Sequence, residues 1–196
     1  MKSKCFEPVA RADARVLILG SLPGTVSLAR RQYYAQPHNA FWRIMGELLG
    51  ATPDVPYEAR LRMLTESGIA LWDVCGAGCR LGSLDSAIQL ASVEANDISG
   101  FLQSHSGIDL ICFNGRKAKE IFDRKVRQKP AALFERIRYA VLPSTSPAHA
   151  AMPYAQKLAQ WHRVLNESRA FRSVRHSSPK LVEEVEIYTC TPGSLS

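Results

Sequence analysis

Four loop-like segments carry residue types suited to a flat heteroaromatic ring and a phosphate. In "QYYAQPHNAFWRIMGELLG" (32–50), Tyr33, Tyr34, Phe41 and Trp42 crowd around a proline, a histidine and Asn39, and aromatic faces of this kind stack on planar rings. Adjacent residues at a helix start cannot both face one pocket, so Phe41 is expected in the stack and Trp42 in the core. In "FNGRKAKEIF" (113–122), Asn114 offers a donor and an acceptor together, as a nucleobase edge requires. A plain turn asparagine before Gly115 would look the same. In "LPSTSPAHA" (142–150), Ser144, Thr145 and Ser146 lie between two prolines and suit phosphate oxygens, or equally the start of a following helix. "GSLPGTVS" (20–27) has two glycines and a proline, which let backbone approach a ligand and turn amides toward an anion. A structural turn uses the same residues. No Gly-Lys-Ser/Thr follows it, and the dinucleotide-binding glycine spacing is absent.

Such loops need a scaffold that gathers them. Four nearly continuous apolar runs, "RVLILG" (15–20), "IALWDV" (69–74), "IDLICF" (108–113) and "YAVLP" (139–143), read as strands covered on both faces of a parallel sheet. Helical patterns fall between them at 40–49, 57–66, 93–104 with Ser92 as N-cap, and 115–127. A last helix over 154–170 lines up Leu158, Trp161, Val164 and Leu165 on one face. Alternating strands and helices imply right-handed crossovers and a three-layer α/β/α sandwich around a four-stranded parallel sheet. The loops then collect at the carboxyl edge of the sheet, where open α/β folds bind ligands. The expected domain is 1–172. Residues 173–196 form a tail, in which "EEVEIYTC" either adds an edge strand or stays loose.

The chain has 196 residues, 46% hydrophobic and 22% charged, which suits one globular domain. No apolar run approaches the ~20 residues of a membrane span. The N-terminus shows no secretory pattern, so a cytoplasmic protein is expected. The five cysteines are scattered, and Cys75 and Cys79 form a C-x3-C pair with no second pair and no nearby histidine. Reduced thiols explain them better than a metal site. Net charge is +7, and before the acidic tail there are 24 Lys and Arg against 15 Asp and Glu. The stretch 116–138 holds nine basic and three acidic residues. A solvated helix face has such a composition, but a basic balance across a whole domain favours a polyanionic partner such as nucleic acid. Together the loops and the charge suit the holding of an extruded base.

In this order, "LILGSLPGTVSLARRQYYAQPHNAFWRIMGELLG", "LWDVCGAGCRLGSLDSAI", "ICFNGRKAKEIF" and "VLPSTSPAHA" resemble the hypoxanthine-DNA glycosylases, a branch of the uracil-DNA glycosylase superfamily. The resemblance covers about residues 14–168. It implies an α/β/α sandwich of the uracil-DNA glycosylase kind and a monofunctional enzyme that excises deaminated bases from DNA, chiefly hypoxanthine. The enzyme would act as a monomer and need no metal or other cofactor. Other branches of the superfamily carry Asp or Asn inside the glycine-proline turn, where this chain has Ser21 and Leu22.

By resemblance, the catalytic asparagine is Asn39. Gly20, Ser21, Pro23 and Gly24 of the turn, with Tyr34 and Phe41, shape the base pocket, and Asn114 reads the base edge. Ser144, Thr145, Ser146, Pro147, Ala148 and His149 grip the DNA backbone. His149 stands where relatives often carry Asn, leaving contact with phosphate or with the base both open. N-glycosidic cleavage passes through an oxocarbenium-like sugar, so a strong nucleophile is not mandatory. An asparagine carbonyl can orient water toward C1′ and favour positive charge there. No lysine occupies these loops, so a Schiff-base step is not expected. A uracil- or mismatch-directed glycosylase is the nearest alternative, and a non-catalytic DNA-binding module a more distant one.

Overall fold

In chain order the strands are β1 (Lys2–Lys4), β2 (Val16–Gly20), β3 (Ile69–Asp73), β4 (Cys75–Cys79), β5 (Glu94–Ala95), β6 (Leu110–Asn114), β7 (Arg138–Leu142) and β8 (Ile187–Tyr188). The computed structural model describes residues 2–79, 87–127, 132–168 and 187–188. The expected boundary at 172 and most of the tail lie outside them. The main sheet has the order β3-β2-β6-β7-β8. Its first four strands are parallel, and β8 pairs antiparallel with β7. Each of the four apolar runs is therefore a parallel strand, and Ile187–Tyr188 supplies an edge segment.

The helices are α1 (Thr25–Arg30), α2 (Phe41–Leu49), α3 (Tyr57–Glu66), α4 (Ile98–Ser104), α5 (Arg116–Lys125) and α6 (Tyr154–Glu167). Because strand side chains alternate, each parallel strand feeds two cores. Val16, Ile18, Ile69, Leu71, Leu110 and Cys112 face the side with Phe41, Ile44, Leu64, Trp161 and Val164 of α2, α3 and α6. Leu17, Leu19, Ala70, Trp72, Ile111 and Phe113 face the side with Phe101, Leu102, Ile121 and Phe122 of α4 and α5. Fully burying each such side chain stabilises the fold by roughly 1.5–3 kcal/mol.

Two departures from the sequence pattern matter. The expected helix 93–104 is shorter, with its N-cap at Asp97, whose carboxylate accepts from the Gly100 amide at 3.1 Å. Upstream, Asn96 donates its backbone N–H to Val74 O at 2.9 Å and its side-chain amide to Asp73 O at 2.8 Å. These bonds draw the chain out along the end of β3, and Glu94–Ala95 pairs with β4 in a small sheet ordered β1-β4-β5. Ser92 instead ends a short 3-10 turn, Leu90–Ser92. Secondly, Cys75 and Cys79 begin and end one extended strand, their backbones about 13 Å apart along it. Burial pushes the Cys112 thiol up to about 12 and Cys5 to about 11, as expected of packing residues.

The strand order changes direction between β2 and β6, since the chain leaves β2 toward β3 on one side and β6 toward β7 on the other. A crevice opens at such a switch point. Gly115, at the exit of β6, has φ 94° and ψ 159°, a conformation open essentially to glycine alone. A Cβ there would also lie 2.9 Å from Ser144 Cβ. Gly115→Ala is expected to destabilise the protein by about 1–3 kcal/mol in urea denaturation; an unchanged midpoint would show that the exit relaxes freely.

Candidate active site

The apolar rows on the α2/α6 side of the sheet end, at the carboxyl edge, in one glycine and two polar residues. Val16 and Ile18 lead to Gly20, Ile69 and Leu71 to Asp73, and Leu110 and Cys112 to Asn114. Asp73 and Asn114 are only 3% and 6% exposed. Residues at one level of adjacent parallel strands share a face, so Asp73 and Asn114 flank Gly20, which lacks a side chain. A Cβ on Gly20 would overlap Asp73 Oδ1 and lie 3.0 Å from the Tyr34 hydroxyl. The glycine opening the "GSLPG" turn is thus required by close approach.

Above this row the segment 33–41 is held by many bonds. Tyr33 is buried, and its backbone N–H donates to the Tyr57 hydroxyl at 2.9 Å while its carbonyl accepts from Trp42 Nε1 at 2.8 Å. Burial, and secondarily the charge of Asp73, push the Tyr33 phenol well above the ordinary tyrosine range. Ala35 N–H donates to Ser27 Oγ at 3.2 Å, and Asn39 N–H to Gln36 O at 2.9 Å. Tyr34 has φ 54°, a left-handed conformation uncommon for a bulky residue. Its ring stacks on Phe41, with centroids 4.0 Å apart and 24° between planes.

Asn39 sits just before α2. Its Oδ1 accepts from the Phe41 N–H at 3.0 Å, which fixes the side chain and satisfies an amide at the helix start. One lone pair of Oδ1 and the amide N–H groups remain beyond that bond. Asn114 is clamped at both ends by one residue. Its Nδ2 donates to Thr145 Oγ1 at 2.8 Å, and its Oδ1 accepts from Thr145 N–H at 2.9 Å. Thr145 O in turn accepts from Ala40 N–H at 2.9 Å, joining this loop to the Asn39 segment.

The loop after β7 is anchored from below. Trp161 Nε1 donates to Pro143 O at 3.0 Å, and Lys157 Nζ to His149 O at 2.7 Å. Ser144 Oγ accepts from Ser146 N–H and Ser146 Oγ from Ala148 N–H, both at 3.3 Å. The hydroxyl protons of Ser144 and Ser146 are not used in these bonds. Partial desolvation first, then the positive charges of Lys157 and Arg116, hold the His149 imidazole below the usual histidine range.

A cavity of about 470 Å³ is bounded by Gly20 through Ser27, Tyr33, Tyr34, Gln36, Asn39, Asp73, Asn114 and Ser144 through Ala148. It is within the size range of pockets that enclose a small organic ligand. Of the residues expected from sequence, Gly20, Ser21, Pro23, Gly24, Tyr34, Asn39, Asn114 and 144–148 line it. Two do not. Phe41 is fully buried behind Tyr34, so the ring facing the cavity is Tyr34 and Phe41 is its backing. His149 lies on the exposed side of its loop, outside the lining. Thr145 lines the wall but is 1% exposed and committed to Asn114, so it suits loop positioning and not phosphate contact. Asp73 and Gln36 were not singled out in the sequence. The signal for Asp73 was an acid closing an otherwise apolar strand.

The matching family model is that of the uracil DNA glycosylase superfamily, over residues 7–169. This chain belongs to the uracil DNA glycosylase superfamily. Two proteins named hypoxanthine DNA glycosylase, from Methanosarcina acetivorans and Methanosarcina barkeri, are 45% and 40% identical to it over 121 residues. In each case that is 61% of this chain and 75% of the relative. A solution NMR structure of a Methanosarcina acetivorans protein, named as a candidate uracil DNA glycosylase, superposes with a TM-score of 0.71. It is 37% identical and covers 85% of this chain and 98% of its own. The resemblance read from the loop motifs is borne out, as is the sandwich around four parallel strands. The cavity lies at the carboxyl edge of the sheet, between the glycine-proline turn and the "STSPA" loop.

Proposed function

We propose that the protein is a monofunctional DNA glycosylase that hydrolyses the N-glycosidic bond of deoxyinosine, releasing hypoxanthine and leaving an abasic site. The supporting observation is the cavity itself, which brings Tyr34, Asn39 and Asn114 to one place in a chain that is 40–45% identical over 121 residues to proteins named hypoxanthine DNA glycosylase. A base must leave the duplex to enter such a pocket. Tyr34, braced by Phe41, offers a rigid stacking face, and Asn114, immobilised by Thr145, offers its remaining donor and acceptor to the base edge. The hydroxyls of Ser144 and Ser146 suit the flanking phosphates.

For the chemical step, Asn39 Oδ1 orients a water toward C1′ with the lone pair not used by Phe41 N–H. The glycosidic bond breaks with its electron pair leaving on the base, positive charge gathers on the sugar, and the water oxygen bonds to C1′. The proton that water loses ends, through solvent, on the departing base nitrogen. The carbonyl dipole favours that positive charge and costs no reorganisation, since the helix start already fixes it. The described lining residues include no lysine to form a Schiff base. The charge of +7 supports a DNA partner, although on α5 Lys117, Lys119 and Arg124 pair with Glu120 and Asp123, as a solvated face does. No helix among the described residues is long and apolar enough to cross a membrane. A monomer acting in the cytoplasm completes this reading.

The relative named for uracil makes base choice the point to test. Single-turnover release from duplexes holding one deoxyinosine, deoxyxanthosine or deoxyuridine is expected to be fastest for deoxyinosine. Dominant uracil release would replace this reading with a uracil-directed one, and duplex binding without abasic sites would make the protein a binding module.

A further inference from the structure

The cavity holds one acid among its described lining residues, Asp73. Neither the stacking face nor the water-orienting role uses it. Asp73 ends β3 opposite Gly20, and Asn114 ends β6 one step beyond the Leu19–Phe113 pair. Adjacent strands lie about 4.8 Å apart, so the backbones of Asp73 and Asn114 stand about 10 Å apart across a glycine. The Asp73 carboxyl group reaches over Gly20, where a Cβ would overlap its Oδ1, so a planar base in the cavity above would meet that carboxyl group and the amide of Asn114 along its edges. Asp73 is also firmly placed: its carbonyl accepts from Asn96 Nδ2 at 2.8 Å, and Val74 N–H bonds Gly20 O at 2.8 Å.

Deamination turns the exocyclic amine of a base into a carbonyl and puts a hydrogen on the adjacent ring nitrogen, and a carboxylate placed at that ring nitrogen senses the second change. Adenine N1 is an acceptor, whereas hypoxanthine N1 carries a hydrogen. Cytosine N3 and uracil N3 differ in the same sense. A carboxylate only accepts, so it bonds the ring N–H of the deaminated base and meets the lone pair of the parent base with repulsion. An asparagine there could present either end and would not make this distinction. A negative group at the base edge also opposes the charge gathering on a departing base. Its presence is therefore explained by selection and not by rate. Guanine also has a ring N–H, so this contact discriminates against adenine and cytosine only.

We propose that Asp73 is a specificity-determining residue, whose carboxylate accepts the ring N–H that deamination creates and thereby rejects the parent base. The proposal rests on the reading of the cavity as a base-excision pocket. Its test uses the full chain and duplexes with a single 2′-fluoroarabino-inosine or -adenosine, whose glycosidic bonds resist cleavage. The wild type is expected to bind the inosine duplex more tightly. Asp73→Asn is expected to reduce that preference at least about tenfold, whereas Asp73→Glu, which keeps the carboxylate, retains more of it. A second arm needs no variant: the wild type is expected to release 1-methylhypoxanthine, which has no ring N–H, far more slowly than hypoxanthine. An unchanged preference in Asp73→Asn, or equal release of the methylated base by the wild type, overturns the role of Asp73 alone. A wild type that releases no hypoxanthine from ordinary deoxyinosine overturns the function on which it rests.

Discussion

Asn39→Ala is expected to slow single-turnover hypoxanthine release at least about a hundredfold, the scale seen when one preorganised dipole is removed from a reacting centre. Duplex affinity should stay near that of the parent, because Tyr34, Asn114 and the 144–148 loop are untouched. The variant also loses the bond from Phe41 N–H to Oδ1, and a lost helix-start bond of this type costs about 1 kcal/mol. Denaturation and kinetics therefore separate the two roles of the side chain. Asn39→Asp keeps the acceptor for both, so it should recover much of the stability and more activity than Ala. Full activity in Asn39→Ala would remove this residue from the chemistry.

Phe41→Ala is expected to destabilise the fold by about 3–5 kcal/mol, the usual range for truncating a buried aromatic ring. Phe41 is fully buried, lies edge-on to Trp42 and Trp161 and stacks on Tyr34. Few other single truncations would open so central a cavity. Tyr34 would lose the surface holding its ring, so affinity for a duplex with an extruded base should fall as well. The relative size of the two effects distinguishes backing from direct stacking. A weakened complex with no more than about 0.5 kcal/mol lost in stability, the ordinary range of surface changes, would put Phe41 against the base after all.

The strands were legible because a parallel strand buried on both faces must be apolar throughout, and "VLILG", "IALWD" and "LICFN" are so until their last residues. The loops were legible because their chemistry is unusual, with aromatic rings, amides and hydroxyls collected where strands end. Adjacency in sequence could not decide which ring faces the cavity. Phe41 and Tyr34 are seven positions apart, and only the left-handed turn at Tyr34 brings that ring over Phe41. The helix expected from Ser92 starts later because bonds from Asn96 to the end of β3 hold the preceding residues extended. The helix α1 went unnoticed since "TVSLAR" is short and has no long apolar period. Asp73 was hidden inside an apolar run, although an acid is costly there without a purpose.

The proposed activity of this pocket is cleavage of the N-glycosidic bond of deoxyinosine. The direct measurement is to incubate the protein with a duplex holding one deoxyinosine and to identify both products. Free hypoxanthine, together with an intact strand that breaks at the former inosine only on alkaline treatment, is the predicted result, with no adduct trapped by borohydride. A strand that stays alkali-stable with hypoxanthine still attached, while the duplex is demonstrably bound, would contradict it.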